Sequence, residues 1–166
     1  LGIDVRGLIV ANDVFTTLAF VTLQENGERT FSFARKPGAD TQICYRELKQ
    51  ELLKNTKIFH VGSLSLTDDP ARTTTFQAVR TAREAGAIIS YDPNYRAPLW
   101  PNREDAVERM RSMLQYVDVM KLSDEETDML TPYQAPEEAA EYLLNKGIKI
   151  VAVTLGADGV LIASRK

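Results

Sequence analysis

One cysteine, Cys44, leaves no intramolecular disulfide to form, and one histidine, His60, leaves that thiol a single conceivable zinc partner. No structural metal is expected, and the reducing cytoplasm is the expected compartment. Basic residues are not in excess: 20 Lys and Arg stand against 23 Asp and Glu, for a net charge of −3. A chain balanced in this way carries no electrostatic footprint for a nucleic-acid backbone or an anionic membrane, so neither is an expected partner. Long apolar runs are also lacking. No window approaches the roughly 18 apolar residues that span a bilayer, and the N-terminus has neither the basic start nor the apolar run of a signal peptide.

What is present is enough for one globular domain. The chain has 166 residues, 44% of them hydrophobic, which suffices for a single core. It begins at Leu1 and ends on the strand-like "LIASRK", so a piece of a longer chain is expected. From Gly7 to Arg35 the residues are β-like: "GLIV", "TTLAFVTL" and "RTFSFAR", with Asn26-Gly27 between the last two. A tight primed turn needs positive φ at both central residues, and Asn-Gly provides it, so an antiparallel hairpin with one polar face is expected.

From about Tyr45 the pattern becomes an alternation of strand and helix. "KIFHVGSL" and "AIISYD" read as strands around the amphipathic "PARTTTFQAVRTAREAG", which Gly86 stops. "REDAVERMRSMLQY", "VDVMKLS", "DEETDML", "APEEAAEYLLNKG", "IKIVAVTLG" and "GVLIASR" continue the series. Strands that are apolar without alternation and separated by helices imply a mainly parallel sheet with helices on both faces. The expected fold class is α/β and Rossmann-like, divided into β strands and linker over 1–40 and an α/β core over 41–166.

In such sheets ligands bind beyond the carboxyl ends of the strands. Four ends carry polar or glycine-rich chemistry: "GSLS", "DPNYR", "KLSDEE" and "TLGADG". Pro93 holds Asp92 extended, and the plain reading of Asp92 is a turn organiser using local hydrogen bonds. Arg96 presents a planar fork of donors suited to a hydroxyl, carboxylate or phosphate, with Leu99 and Trp100 to wall the same corner; the alternative is a salt bridge to an acid such as Glu104. Ser123 and Glu126 form a capping box, although a carboxylate there could also hold the water shell of magnesium. The glycines of "TLGADG" let backbone approach a ligand, or simply make a hairpin turn. His60 reads as a packed, hydrogen-bonded sheet residue, with a catalytic role the alternative, and Cys44 as an apolar filler.

In this order the segments "TTLAFVTLQENGERTFSFARKPGAD", "IFHVGSLSL", "ISYDPNYRAPLW", "DVMKLSDEE" and "VAVTLGADGV" resemble the PfkB-type, ribokinase-like carbohydrate kinases, most closely their fructokinase branch. The resemblance covers essentially all 166 residues. It implies transfer of the ATP γ-phosphoryl group to a sugar hydroxyl with Mg2+, under a β lid that also pairs two subunits as a homodimer. It places Arg96, Arg35 and Phe33 at the sugar and Asn94 and Ser123 towards the nucleotide. By the same resemblance Thr154, Gly156 and Gly159 match the turn that borders ATP, and Glu126 the acid that supports magnesium and phosphate. The family's Asn-x-x-Glu motif begins here with Ser123, a variation that fructokinase-like members resemble.

The family's glycine-rich opening segment and its Gly-Ala-Gly-Asp motif, whose aspartate takes the hydroxyl proton, have no counterpart here. "PGAD" at Pro37 to Asp40 and "GADG" at Gly156 to Gly159 differ in context, so neither Asp40 nor Asp158 is assigned as a base. The expected parent is a fructokinase, with the 166 residues alone nearly inactive. The alternatives are a 2-keto-3-deoxygluconate kinase, a kinase-derived sugar sensor that binds without reacting, and a receiver-like module with Asp92 as phosphoacceptor.

Overall fold

The structure is a computed structural model that describes residues 2–24 and 29–165. Two sheets form. Strands β1 (Leu18–Leu23) and β2 (Arg29–Ala34) pair antiparallel as a projecting arm, with Phe20 opposite Ser32. The larger sheet comprises β3 (Ile58–Gly62), β4 (Ile88–Asp92), β5 (Val119–Ser123), β6 (Ile150–Thr154) and β7 (Val160–Ser164), in that spatial order. The first four strands run parallel, and β7 returns antiparallel along β6.

The helices are α1 (Gln50–Asn55), α2 (Ala71–Glu84), α3 (Arg103–Met113), α4 (Thr127–Leu130) and α5 (Pro136–Asn145). Each longer helix buries a stripe at helical spacing: Ala71, Thr74, Ala78 and Ala82 on α2, Ala106, Met110 and Met113 on α3, Ala139, Ala140 and Leu143 on α5. Asn102 caps α3 by accepting the Asp105 amide at 2.7 Å, and Gly86 ends the α2 segment at a φ of 92° that side chains rarely adopt.

The strands supply the opposing layer through alternate residues. Ile89, Tyr91, Met120, Leu122, Val151 and Val153 are fully buried against the helices. Their neighbours point the other way, and Ile58 (60% exposed), Ile88, Ile150 and Ile162 (69%) meet solvent. Among the described residues, therefore, helices cover one face of this sheet, where both were expected. The strand order explains it: each crossover steps in the same direction, and right-handed crossovers then place every connecting helix on the same side.

Two local expectations also change, and a third falls on residues that are not described. "GLIV" forms no strand, and Leu8 and Val10 are exposed. The Asn26-Gly27 turn lies outside the described residues. The arm buries neither side of β1, since Leu18, Phe20, Val21 and Leu23 are all about half or more exposed. A two-stranded ribbon has too little surface of its own to bury a face, and only β2 leans on the core.

Asp118 ties the start of the parallel sheet together. Its carboxylate accepts the Ile89 amide at 2.9 Å, its carbonyl accepts the Lys149 amide at 2.8 Å, and Lys149 Nζ lies 2.8 Å from Oδ1. Partial burial pushes the carboxyl pKa up, but the Ile89 amide and the Lys149 ammonium together outweigh it and hold the group below its ordinary value. A carboxylate depressed on folding stabilises fully above its unfolded pKa, about 4, and loses that contribution as pH falls through the folded value. Asp118→Asn is expected to cost about 1 kcal/mol at pH 7, read from urea unfolding, with the difference from wild type shrinking below pH 4. A difference that persists in acid would remove the charge from this account.

Candidate active site

The carboxyl ends of β3, β4 and β5 face one corner, which is built around Pro93 to Arg96. The Ser63 amide donates to Pro93 O at 3.0 Å, and the Tyr95 amide donates to Glu126 Oε1 at 2.6 Å. The other oxygen of Glu126 accepts the Ser123 amide at 2.8 Å, completing the capping-box arrangement. One buried carboxylate thus bridges the turn after β4 to the turn after β5. Between these anchors Asn94 takes a left-handed φ of 48°, a region that asparagine enters more readily than most residues with a side chain. Asp92 does not organise the turn through local bonds; it pairs with Lys121 on the neighbouring strand at 3.3 Å.

Arg96 emerges from this turn half-buried. One donor is used, Nη1 to the Tyr95 carbonyl at 2.8 Å, and the guanidinium lies 5.2 Å from the centre of the Phe31 ring on the arm. Among the described residues it pairs with no carboxylate, Glu104 included, so most of its fork remains available. Asn94, Arg96, Ser123 and Glu126 line one cleft of about 470 Å3 together with Lys121 and Arg103. Arg103, which sequence reasoning did not single out, is paired with Asp128 at 2.9 Å.

Phe33 and Arg35 line a second cavity of about 410 Å3, with Phe15, Pro98, Leu99 and Asp68. Leu99 walls this cavity, whereas Trp100 is in the core, its indole nitrogen without a protein partner. Arg35 differs sharply from Arg96, because its guanidinium is buried and its donors are engaged by Asp40, Thr67 and Leu64. Thr154 stands beside Ser123 across the β5–β6 ladder, which brings the two together. Gly156 and Gly159 follow in the β6–β7 turn with φ of 57° and 101° and line none of these cavities. His60 is hydrogen-bonded as expected, to Ser90 at 3.1 Å, but it lies on the uncovered sheet face and is exposed rather than packed.

Beneath the corner the Tyr91 hydroxyl is buried without a protein partner, and burial first, then the charges of Glu126 and Asp92, push its pKa well above the ordinary value. The described residues contain no group of three or more His, Cys, Asp or Glu that could hold a metal. Glu126 already accepts an amide on each oxygen, so direct coordination would compete with both bonds; a spare lone pair on each oxygen suits a water of a hydrated magnesium ion. The arrangement offers a largely free guanidinium on a preorganised backbone turn, with the flanking Lys121 and Arg103 paired to Asp92 and Asp128, which suits a polyhydroxylated ligand with one anionic or hydroxyl group for Arg96. Among the described residues, no helix is long and apolar enough to cross a membrane.

Comparison with known proteins agrees with this geometry. Fructokinase-2 of Solanum lycopersicum is 42% identical over 159 residues, 95% of this chain and 48% of that protein. Fructokinase-1 of Zea mays is 42% identical over 159 residues, 95% and 49% respectively. The crystal structure of fructokinase from Xylella fastidiosa superposes with a TM-score of 0.80 at 37% identity, covering 93% of this chain and 50% of that one. The Vibrio cholerae fructokinase in its fructose, ADP and calcium ion bound form gives 0.75 at 30% identity, covering 88% and 47%. The chain therefore spans about half the length of the relatives it matches. The family model described as "pfkB family carbohydrate kinase" matches residues 1–166, and with the strand-end corner in place the conclusion is direct: the chain belongs to the pfkB family of carbohydrate kinases.

Proposed function

We propose that the full-length protein transfers the γ-phosphoryl group of ATP to a hydroxyl of a sugar, fructose first among candidates, to give fructose 6-phosphate. The observation that carries this reading is the free fork of Arg96, held at the strand ends by a turn anchored on Glu126 and roofed by Phe31. Its similarity to fructokinases, one of them solved with fructose and ADP, supports the choice of sugar. Phosphoryl transfer needs little covalent help from the protein; it needs alignment of the two reactants and neutralisation of charge on the moving group. Arg96 in the first cleft and Phe33 in the second cavity, whose wall also carries Arg35, form the sugar side. Asn94, Ser123, Thr154, Gly156 and Gly159 face the nucleotide, which brings magnesium with it, and Glu126 supports that ion through water.

The 1–40 segment acts as a lid on the 41–166 core, and the exposed apolar residues of its β1 support a homodimer formed lid to lid. No residue of these 166 is assigned to accept the hydroxyl proton. Coupled ADP release with fructose is expected from the full-length protein and near background from the 166-residue polypeptide; robust turnover by the latter would overturn the division of labour. The unspent fork of Arg96 would also suit the carboxylate of an acidic sugar, so 2-keto-3-deoxygluconate belongs in the substrate panel. Its preference over fructose would replace the first reading, and fructose binding in calorimetry without turnover would favour a sensor.

A further inference from the structure

The base of the arm is tied to the core by a polar cluster that the sugar-kinase reading does not require. Arg35, one residue beyond β2, has a side chain only 5% exposed. Its Nε donates to Asp40 Oδ2 at 2.7 Å, and Nη2 lies 2.6 Å from the same oxygen. Nη1 donates to Thr67 Oγ1 and Nη2 to the Leu64 carbonyl, both at 2.7 Å, while Asp68 stands 3.9 Å from Nη1. The other oxygen of Asp40 accepts the hydroxyl of Thr17, the residue that leads into β1. Both strands of the arm therefore leave the core through a single carboxylate.

The segment they grip is itself held from behind, because Arg109 on α3 donates to Thr67 O at 2.6 Å and to Leu66 O at 3.3 Å. Gly38 shows how closely these parts approach. A Cβ there would run into Thr17 Oγ1 and would lie 2.7 Å from Asp40 Oδ1 and 3.1 Å from Arg35 Cγ. Its φ of −97° is open to any residue, so the position needs space and not a special backbone conformation.

Residues two apart on a strand share a face, so Phe31 and Phe33 form a row, and Arg35 follows two residues on, just past the end of β2 and in the same cavity wall as Phe33. Phe31 and Phe33 stack at 6.2 Å with planes 11° apart, and the row runs from the clamp at Arg35, past the cavity wall at Phe33, to the ring over Arg96. We propose that Arg35 and Asp40 form a lock at the root of the arm, and that Arg35 is a positioning residue that aims Phe33 and Phe31 at the corner rather than a ligand of the sugar. A guanidinium whose donors are spent on Asp40, Thr67 and Leu64 has little left for a hydroxyl, whereas fixing the rotation of β2 sets both rings at once.

The inference rests on the sugar-kinase reading for its kinetic arm and stands alone in its exchange arm. In the full-length protein, Arg35→Gln, Asp40→Asn and Gly38→Ala are each expected to speed amide exchange in Leu18–Leu23 and Arg29–Ala34 about tenfold or more, with Met120 to Leu122 unchanged. With fructose and ATP, Arg35→Gln and Asp40→Asn should each raise the KM for sugar about tenfold while leaving the KM for ATP alone. The double variant should be no worse than either single one, because both break the same lock. Arg35→Lys, which keeps a charge for Asp40, should recover part of the loss. A KM rise in Arg35→Gln without one in Asp40→Asn would make Arg35 a sugar ligand and overturn the lock, as would unaltered exchange in the arm. If the full-length protein phosphorylates no sugar, the sugar-kinase reading fails, and the exchange result still decides the lock.

Discussion

Arg96→Ala in the full-length protein is expected to lower kcat/KM for the sugar by about 2 to 4 kcal/mol, the scale of charged hydrogen bonds left unmade in a desolvated corner. The effect is this large because Arg96 is preorganised yet unspent: one donor holds its own turn at Tyr95 O, and the Phe31 ring shields the guanidinium. Arg96→Lys should recover little, since an ammonium cannot reproduce the planar fork or its stacking on the ring. Steady-state kinetics over a range of sugar at saturating ATP read the effect. An unchanged kcat/KM would reduce Arg96 to a surface cation.

The second large effect is expected at Glu126, whose carboxylate accepts two backbone amides from two different turns. Glutamine offers one carbonyl oxygen and one amide nitrogen, so either the Tyr95 or the Ser123 amide must face a donor in a buried site. Glu126→Gln should cost about 2 to 4 kcal/mol in urea unfolding. It should also lower kcat/KM, because Asn94 and Arg96 lie on the turn it releases. Retained stability with lost activity would instead make Glu126 a partner of the phosphates and their ion alone. Loss of both fits a residue that builds the corner.

The elements that were legible in the sequence are those governed by neighbours a few residues away. The stripe Ala71, Thr74, Ala78 and Ala82, the helix stop at Gly86 and the Ser123–Glu126 capping box are local patterns, and they stand where the pattern placed them. The helix over Gln50–Asn55 was not read, because "QELLKN" is too short to show a period. The uncovered sheet face was unreadable for a different reason: Ile58 and Ile162 are the residues a buried strand would carry, and only the strand order shows that no described helix reaches them.

The site divides in the same way. The positions of Asn94, Arg96, Ser123 and Glu126 follow from strand ends, and the structure gathers them in one cleft. The contrast between Arg96 and Arg35 depends on partners 29 to 32 residues away in the chain, at Leu64 and Thr67, which no local pattern reports. The same holds for the reach of Glu126 back to Tyr95 and for the pairing of Asp92 with Lys121.

The spatial order of β3 to β7, identical to their order in the chain, also bears on how the domain is made. Each parallel strand finds its partner roughly 30 residues away, and β7 folds back on β6 at once, so every pairing closes a short loop. The sheet can then grow strand by strand as the polypeptide leaves the ribosome, each new strand docking on an edge already formed. Val61 and Ile89 are already buried with Val79 and Ala82 of α2 before β5 arrives, so a helix-covered interior exists from the first strand pair, and the pairing of Tyr91 with Met120 extends it.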